Sequence, residues 1–232
     1  MRQLKIKTSI FAFVLIFGLS FPIFVSASTD SRARIEEGIA ELKEKEFKKA
    51  LKKFRTAEKA DPQDDEALFF QGAALNRLGR HKAALESLEK AKVMGSQHPD
   101  LAFETGWSLM RENRFEEAVQ QLEQYERAHP GRAQTSEFLG RAYLGLGKHE
   151  KAEAEFQEAL KRDPALKPTV ALYMVAVAAD QKNSAQAAEY LKTIIRESPD
   201  SPIGRTLINQ DRLHGCKRGT ALARGSLYKR GI

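Results

Sequence analysis

The sequence predicts an all-α fold in which about five antiparallel helix pairs stack into an α-solenoid with a short C-terminal capping helix. The first reason is a period of 34 residues in the placement of small residues. A fixed period of this length is typical of one structural element stacked on copies of itself. The second reason is a helical spacing of apolar residues within each period. The periodic residues are glycines (Gly38, Gly72, Gly106 and Gly140), alanines twelve places later (Ala50, Ala84, Ala118 and Ala152) and prolines (Pro62, Pro130 and Pro164, with Ser96 in the remaining slot).

Within one period the apolar residues follow one face of a helix. Phe115, Ala118, Leu122 and Tyr125 stand three or four residues apart, which is the spacing of an amphipathic helix. No stretch after the N-terminal leader alternates with period two over the length of a strand. Each period therefore predicts two helices joined by a short turn. We expect these turns near residues 79–81, 113–114, 147–149 and 181–183.

The repeated glycines and alanines are expected to hold the two helices of a pair close together. Glycine inside a helix costs roughly 1 kcal/mol relative to alanine, so its recurrence in four helices needs a reason. We expect each glycine of a first helix to face the alanine of the second helix, where a larger side chain would push the pair apart. The prolines fall between pairs, where the missing N–H is harmless, and Asp64 is positioned to cap the following helix.

The period predicts the order of the elements along the chain. After a leader of residues 1–27, the helix pairs are expected at residues 31–64, 65–98, 99–132, 133–166 and 167–200. The fifth pair is degenerate, because Val175 replaces the glycine and the pattern slips by one residue. A capping helix is expected over residues 201–212, since the end of a stack needs a polar cover. A basic, disordered tail is expected over residues 213–232.

The repeated residues resemble the tetratricopeptide repeat (TPR), whose 34-residue signature is W-x2-L-G-x2-Y, then A-x3-F, then P. The fourth pair carries the closest match, with Leu139, Gly140, Tyr143, Ala152, Phe156, Ala159 and Pro164. The resemblance covers about residues 31–199. It implies a right-handed solenoid of TPRs and a non-enzymatic scaffold for protein–protein interaction. In this family a peptide or helical segment of the partner lies in a concave groove lined by the first helix of each pair.

The resemblance also implies which side chains line the groove. Trp107 is the strongest candidate, because tryptophan is enriched at binding hot spots. The alternative is that Phe69 and Phe103 pack between helix pairs and that the arginines are solvated. A known clamp of this family for a partner's two carboxylates needs Lys and Asn where this chain has Ile35 and Ile39, so that clamp is absent. The expected partner-binding residues are Phe69, Asn76, Arg77, Phe103, Trp107, Met110, Arg111 and Arg141, with Ile35, Ile39, Ala73, Glu137 and Leu144 as further groove positions.

The N-terminus has the pattern of a secretory signal peptide. Arg2, Lys5 and Lys7 precede an apolar run over residues 10–25, and small residues follow up to Ala27, the expected cleavage point. The run is shorter than the roughly 20 residues that a membrane-spanning helix needs. We therefore expect an exported protein, located in a bacterial periplasm or secreted. An uncleaved leader that anchors the chain in the inner membrane is the alternative.

Charge is unevenly distributed along the chain. The net charge is +7, but residues 28–200 carry 28 basic and 30 acidic side chains, so the repeat region is close to neutral. A nucleic-acid-binding body would show a basic face, and no nucleic acid partner is expected. Residues 201–232 carry seven basic and one acidic side chain. Contact of this tail, or of the leader, with a membrane is possible. Cys216 is the only cysteine and cannot form an intramolecular disulfide.

No residue pattern for catalysis, metal binding or cofactor binding is found in the sequence. The five histidines form no H-E-x-x-H or similar ligand pair, and there is no G-x-S-x-G turn or phosphate-binding loop. The preferred function is a non-enzymatic scaffold that helps to assemble or organise a bacterial envelope complex. The alternatives are an accessory subunit tethered to a membrane or polymer by its basic tail, and a docking arm of an enzyme complex. Self-association is also open.

Overall fold

The computed structural model of the chain describes residues 21–201 and 204–208, with side chains from residue 29 onward, and this part contains helices and turns but no strand. The longer helices are α1 (Phe21–Lys43), α2 (Phe47–Ala60), α3 (Asp65–Arg77), α4 (His81–Val93), α5 (Leu101–Arg111), α6 (Phe115–Ala128), α7 (Ala133–Gly145), α8 (His149–Arg162), α9 (Lys167–Asp180) and α10 (Ser184–Glu197).

The helices form two compact units, with the boundary between Leu101 and Ala102. Unit 1 contains α1 to α4 and the first residue of α5, and unit 2 contains the rest of α5 and α6 to α10. Within each unit consecutive helices pack as pairs, such as α1 with α2, α3 with α4, α7 with α8 and α9 with α10. The predicted all-α class, built from consecutive helix pairs as in a TPR α-solenoid, is confirmed. None of the described helices is long and apolar enough to cross a lipid bilayer.

The repeated glycines lie where an added side chain would clash with the paired helix, as predicted, but the nearest atoms belong mainly to the residue four places after the alanine. A Cβ atom added to Gly72 would lie 2.6 Å from Leu88 Cγ, and one added to Gly140 would lie 2.6 Å from Phe156 Cε1. The glycine therefore faces the large residue one turn after the alanine, because that side chain lies across the interface. The same arrangement joins Gly38 to Phe54 and Gly106 to Leu122. The alanines are fully buried beside these contacts, at Ala50, Ala84, Ala118 and Ala152.

The degenerate fifth pair has the same architecture without the glycine. Val175 and Ala187 are both fully buried and belong to one cluster with Leu191. Helix α9 has 14 residues where α7 has 13, and this additional residue accounts for the slip in the sequence pattern.

The junctions between helix pairs follow local capping rules. Asp64 caps α3 as predicted, because its side chain accepts hydrogen bonds from the backbone N–H groups of Glu66 and Ala67. Its second carboxylate oxygen accepts a hydrogen bond from the buried Ser31 hydroxyl at 2.6 Å, which joins α1 to this cap. Pro164 opens a short 3-10 turn at Pro164–Leu166 that leads into α9.

The two ends of the described chain can be compared with the predicted leader of residues 1–27 and the predicted cap over residues 201–212. The described part of helix α1 runs from Phe21 through Ala27, so the expected cleavage point lies within a helical stretch. Residues 204–208 are helical, and Leu207 packs against the cluster of α9 and α10. This helical segment lies inside the predicted cap over residues 201–212. Residues 1–20, residues 209–212 and the predicted tail with Cys216 are outside the described residues.

Candidate functional site

The first helices of the three pairs in unit 2 bring aromatic and charged side chains together. We call this group the aromatic–arginine patch. Helix α5 contributes two of its residues, α7 contributes three and α9 contributes one. Because each helix packs beside the next, residues far apart in sequence become neighbours. The patch consists of Trp107, Arg111, Glu137, Phe138, Arg141 and Tyr173.

Stacked rings hold Trp107 in place. Its ring centroid lies 5.5 Å from that of Phe138, and the two planes meet at 26°. Phe138 in turn stacks on Phe103, again at 5.5 Å. Phe138 and Phe103 are buried, whereas Trp107 keeps part of its surface exposed. Trp107 is therefore a partly exposed aromatic ring that Phe138 supports, and such a ring can serve as a binding anchor.

Arg141 is positioned by two rings and a carboxylate. Its Cζ lies 4.9 Å from the centroid of Tyr173 and 5.6 Å from that of Phe138, within the range of cation–π attraction. Its Nη1 lies 3.5 Å from Oε1 of Glu137, one turn earlier on α7. The Arg141 side chain is 11% exposed. These contacts leave the guanidinium little freedom.

The patch contains two positive charges and one negative charge. Burial lowers the pKa of Arg111, and the positive charge of Arg141 lowers that pKa further, while Tyr173 opposes the shift. Burial raises the pKa of Glu137, and Arg141 partly offsets this effect. Arginine stays protonated in proteins, so Arg111 and Arg141 both carry a positive charge, and Glu137 pairs with Arg141. An anion placed near both arginines would be attracted by their positive charges.

Two predicted binding residues of unit 2 are buried. Phe103 is 2% exposed and Met110 is 4% exposed, so neither offers surface to a partner. Phe103 is covered by Arg132, whose Cζ lies 3.7 Å from the ring centroid. Arg132 also donates a hydrogen bond from Nη1 to the Tyr125 hydroxyl at 3.1 Å. The burial of Phe103 supports the alternative that it packs between helix pairs. Its contact with Arg132 was not predicted from the sequence.

Two predicted residues of unit 1 are buried in the same way. Phe69 is 3% exposed and stacks on His98 with centroids 3.5 Å apart. Asn76 is 2% exposed, and its Oδ1 lies 3.1 Å from Nδ1 of His81 at the start of α4. Arg77, by contrast, is exposed at the end of α3.

A cleft opens in unit 1 beside Arg77. It has a volume of about 280 Å³ and is bounded by the end of α1, the first residue of α2 and the second half of α3. Three of its residues (Ile39, Ala73 and Arg77) are groove positions that the family resemblance predicts. The cleft is lined by Ile39, Leu42, Lys43, Phe47, Ala73 and Arg77.

Tyr143 links α7 to the neighbouring α6 and makes the stability of unit 2 sensitive to high pH. Its hydroxyl donates a hydrogen bond to Oε1 of Glu123 at 2.7 Å. Burial, together with this carboxylate, raises the pKa of Tyr143 to about 12. The folded state therefore favours the protonated phenol, and this stabilisation is present below pH 10 and lost as the pH rises toward 12.

We expect the free energy of unfolding to fall by on the order of 1 kcal/mol between pH 9 and pH 11 because of this group. Urea unfolding followed by circular dichroism at both pH values measures the change. The Tyr143→Phe variant cannot ionise and should show a smaller fall over the same interval. An equal fall in wild type and variant would contradict this assignment.

Family comparison agrees with the repeat pattern. Two matches to one family model described as tetratricopeptide repeat cover residues 35–99 and 103–167. A second model with the same description matches residues 170–201. Together these matches cover more than half of the chain. A search of curated proteins returned no matching sequence.

Solved structures with the same fold include other repeat proteins. MamA from Desulfovibrio magneticus RS-1, from residue 41 to its end, is 21% identical, with 75% of this chain and 97% of that chain covered and a TM-score of 0.62. YrrB, described as a TPR protein with an unusual peptide-binding site, is 19% identical, with 76% and 90% covered and a TM-score of 0.60. PilF of Pseudomonas aeruginosa is 21% identical, with 88% and 99% covered and a TM-score of 0.59. At these identities the likeness shows the fold alone.

Proposed function

Because the chain belongs to the tetratricopeptide-repeat family of protein-interaction scaffolds, we propose that unit 2 binds a segment of a partner protein at the aromatic–arginine patch. The segment would be an extended peptide or a helix lying along the first helices α5, α7 and α9. The protein would act without catalysis. Its partner would present an apolar side chain close to an acidic group.

The observation that carries this proposal is that Trp107 stacks on Phe138 while Arg141 lies against the same Phe138 ring. Trp107 is partly exposed and backed by Phe138, so a partner side chain can cover it at little cost in side-chain entropy. Arg111 follows Trp107 by one helical turn on α5, and the positive charge of Arg141 lowers the pKa of Arg111. The two arginines outnumber Glu137 in the patch and would attract a carboxylate from the partner, and guanidinium groups bind carboxylates with a favourable planar geometry.

We further propose that this binding takes place in the bacterial envelope. The support is the N-terminal pattern of Arg2, Lys5 and Lys7 followed by an apolar run and small residues up to Ala27. The scaffold would help to assemble or organise an envelope complex there. The description of YrrB as a protein with a peptide-binding site is consistent with a peptide ligand on this fold.

The test is affinity capture from a bacterial envelope extract, with the Trp107→Ala/Arg111→Ala double variant beside the wild type. We expect the wild type to retain a specific protein that the variant loses, while the helical circular dichroism stays the same. The matched control is Arg127→Ala/Lys161→Ala, because these exposed side chains lie on the second helices α6 and α8. If the Trp107/Arg111 variant captures the protein with wild-type affinity, the patch is not the binding site.

A further inference from the structure

We propose that the outer face of α2 in unit 1 binds the surface of an anionic lipid bilayer. The contact surface, which we call the basic stripe, consists of Lys48, Lys52, Arg55 and Lys59. The stripe lies on a second helix, whereas the expected partner groove and the aromatic–arginine patch belong to first helices. Binding of a bilayer at the stripe therefore does not depend on binding of a protein at the patch.

The four residues of the basic stripe lie along one side of α2. They stand at helix positions i, i+4, i+7 and i+11, which fall within about 60° of one another around the helix axis. All four are exposed. At a rise of about 1.5 Å per residue the stripe is about 16 Å long. It is therefore a straight row of positive charges, and a flat anionic surface can contact all of them at once.

The basic stripe has no counter-charge within the residues that the structure describes. The two other lysines of α2 are paired, Lys49 with Glu46 at 3.8 Å and Lys53 with Glu37. Glu58, the one acidic residue of α2, accepts a hydrogen bond from a side chain of α3. None of the four stripe residues makes an ion pair with a described residue. Like charges one turn apart on a helix repel each other, so an external anionic surface would stabilise this row.

The row of four basic residues does not recur on the next three second helices. At the equivalent positions each of these helices carries a single basic residue and at least one acidic residue. Helix packing is common to all the pairs, so packing does not explain a row that only one of these four helices has. The equivalent positions are Lys82, Glu86, Glu89 and Val93 on α4, Glu116, Gln120, Glu123 and Arg127 on α6, and Glu150, Ala154, Gln157 and Lys161 on α8.

Two exposed apolar side chains at the end of α4 indicate a bilayer rather than another anionic partner. Val93 is 80% exposed and Met94 is 47% exposed, and the exposed Lys90 and Lys92 precede them. Val93 is the equivalent of Lys59, and α2 and α4 pack into one hydrophobic cluster, so both positions face the same side of unit 1. At a bilayer surface the apolar side chains enter the headgroup layer while the lysines meet anionic headgroups. A nucleic acid would cover the stripe but would leave Val93 in water.

A polarity-sensitive fluorescent dye at residue 93 of the full chain tests the proposal. The dye is attached to the Val93→Cys/Cys216→Ser protein, which is mixed with vesicles of equal parts phosphatidylglycerol and phosphatidylcholine. We expect the emission to shift to shorter wavelength with these vesicles and to stay unchanged with vesicles of phosphatidylcholine alone. The control is a dye on Arg127→Cys/Cys216→Ser, at the equivalent position of α6, which should not shift. No shift at residue 93, an equal shift with neutral vesicles, or an equal shift at residue 127 would overturn the proposal.

Charge reversal then separates the basic stripe from the leader and the basic tail. Lys52→Glu/Arg55→Glu should weaken binding of the anionic vesicles at least about tenfold. The helical circular dichroism should stay the same, because both side chains are exposed. Arg127→Glu/Lys161→Glu changes the net charge by the same amount at exposed positions of α6 and α8, and it should bind as the wild type does.

The two charge-reversal variants decide where a bilayer is bound. If both bind anionic vesicles equally well, the leader or the tail accounts for the binding and the stripe is not the site. Binding of a nucleic-acid oligomer by the wild type, without binding of the anionic vesicles, would likewise overturn the proposal.

Discussion

Replacing Gly140 with leucine is expected to lower the free energy of unfolding by about 3 kcal/mol. A Cβ atom at this position would lie 2.6 Å from the ring of Phe156, which is fully buried between α7 and α8. The ring cannot turn away, because the core is already packed around it, so the two helices must move apart. Leucine favours the helix by up to about 1 kcal/mol more than glycine does, and the steric cost outweighs this gain.

Gly145 provides a matched control on the same helix. A Cβ atom there would lie 2.5 Å from the ring of Phe115, so the initial clash is similar. Gly145 is exposed and Phe115 is only partly buried, so this ring can swing toward solvent. We expect Gly145→Leu to change the free energy of unfolding by less than about 1 kcal/mol. Urea unfolding measures both variants, and equal losses would contradict the close-packing role of Gly140.

Replacing Trp107 with alanine is expected to weaken binding of the partner at least about thirtyfold, which corresponds to about 2 kcal/mol for a central hot-spot residue. The physical reason is the loss of a large, partly exposed ring that Phe138 supports. The fold should tolerate this change, because the ring is partly exposed and packs on Phe138 from one side. Trp107→Phe keeps a ring that can stack on Phe138 and should lose less affinity. If Trp107→Ala binds as tightly as Trp107→Phe, the indole is not an anchor.

The repeat period allowed the fold to be predicted from the sequence in detail. Gly72 and Gly140 stand where helices touch, and an all-α chain of this length has few other ways to place small residues at one fixed interval. The contact partner of each glycine was not predictable from the signature, because the alanine and the large residue one turn later are both periodic. Only the packing shows that Leu88 and Phe156 lie across the glycines.

The candidate site was less predictable from the sequence than the fold was, because loop residues decide which of the predicted side chains are buried. Phe69 and Phe103 stand one period apart, and each is covered by a residue of the loop after the second helix, His98 and Arg132 respectively. These two loop residues are themselves 34 apart, so the loop after the second helix covers the same repeat position in both pairs. One period after Phe103 the chain has Glu137 in place of a phenylalanine. Its carboxylate lies beside Arg141 of the same helix.

The emission of Trp107 tests the central claim most directly, because the chain contains a single tryptophan. The protein is titrated with the partner captured from envelope extract, and the emission spectrum and its quenching by acrylamide are recorded. If the partner covers the aromatic–arginine patch, the emission shifts to shorter wavelength and quenching falls in proportion to the fraction bound. An unchanged spectrum and unchanged quenching at saturating partner would show that the partner binds elsewhere and would contradict the account.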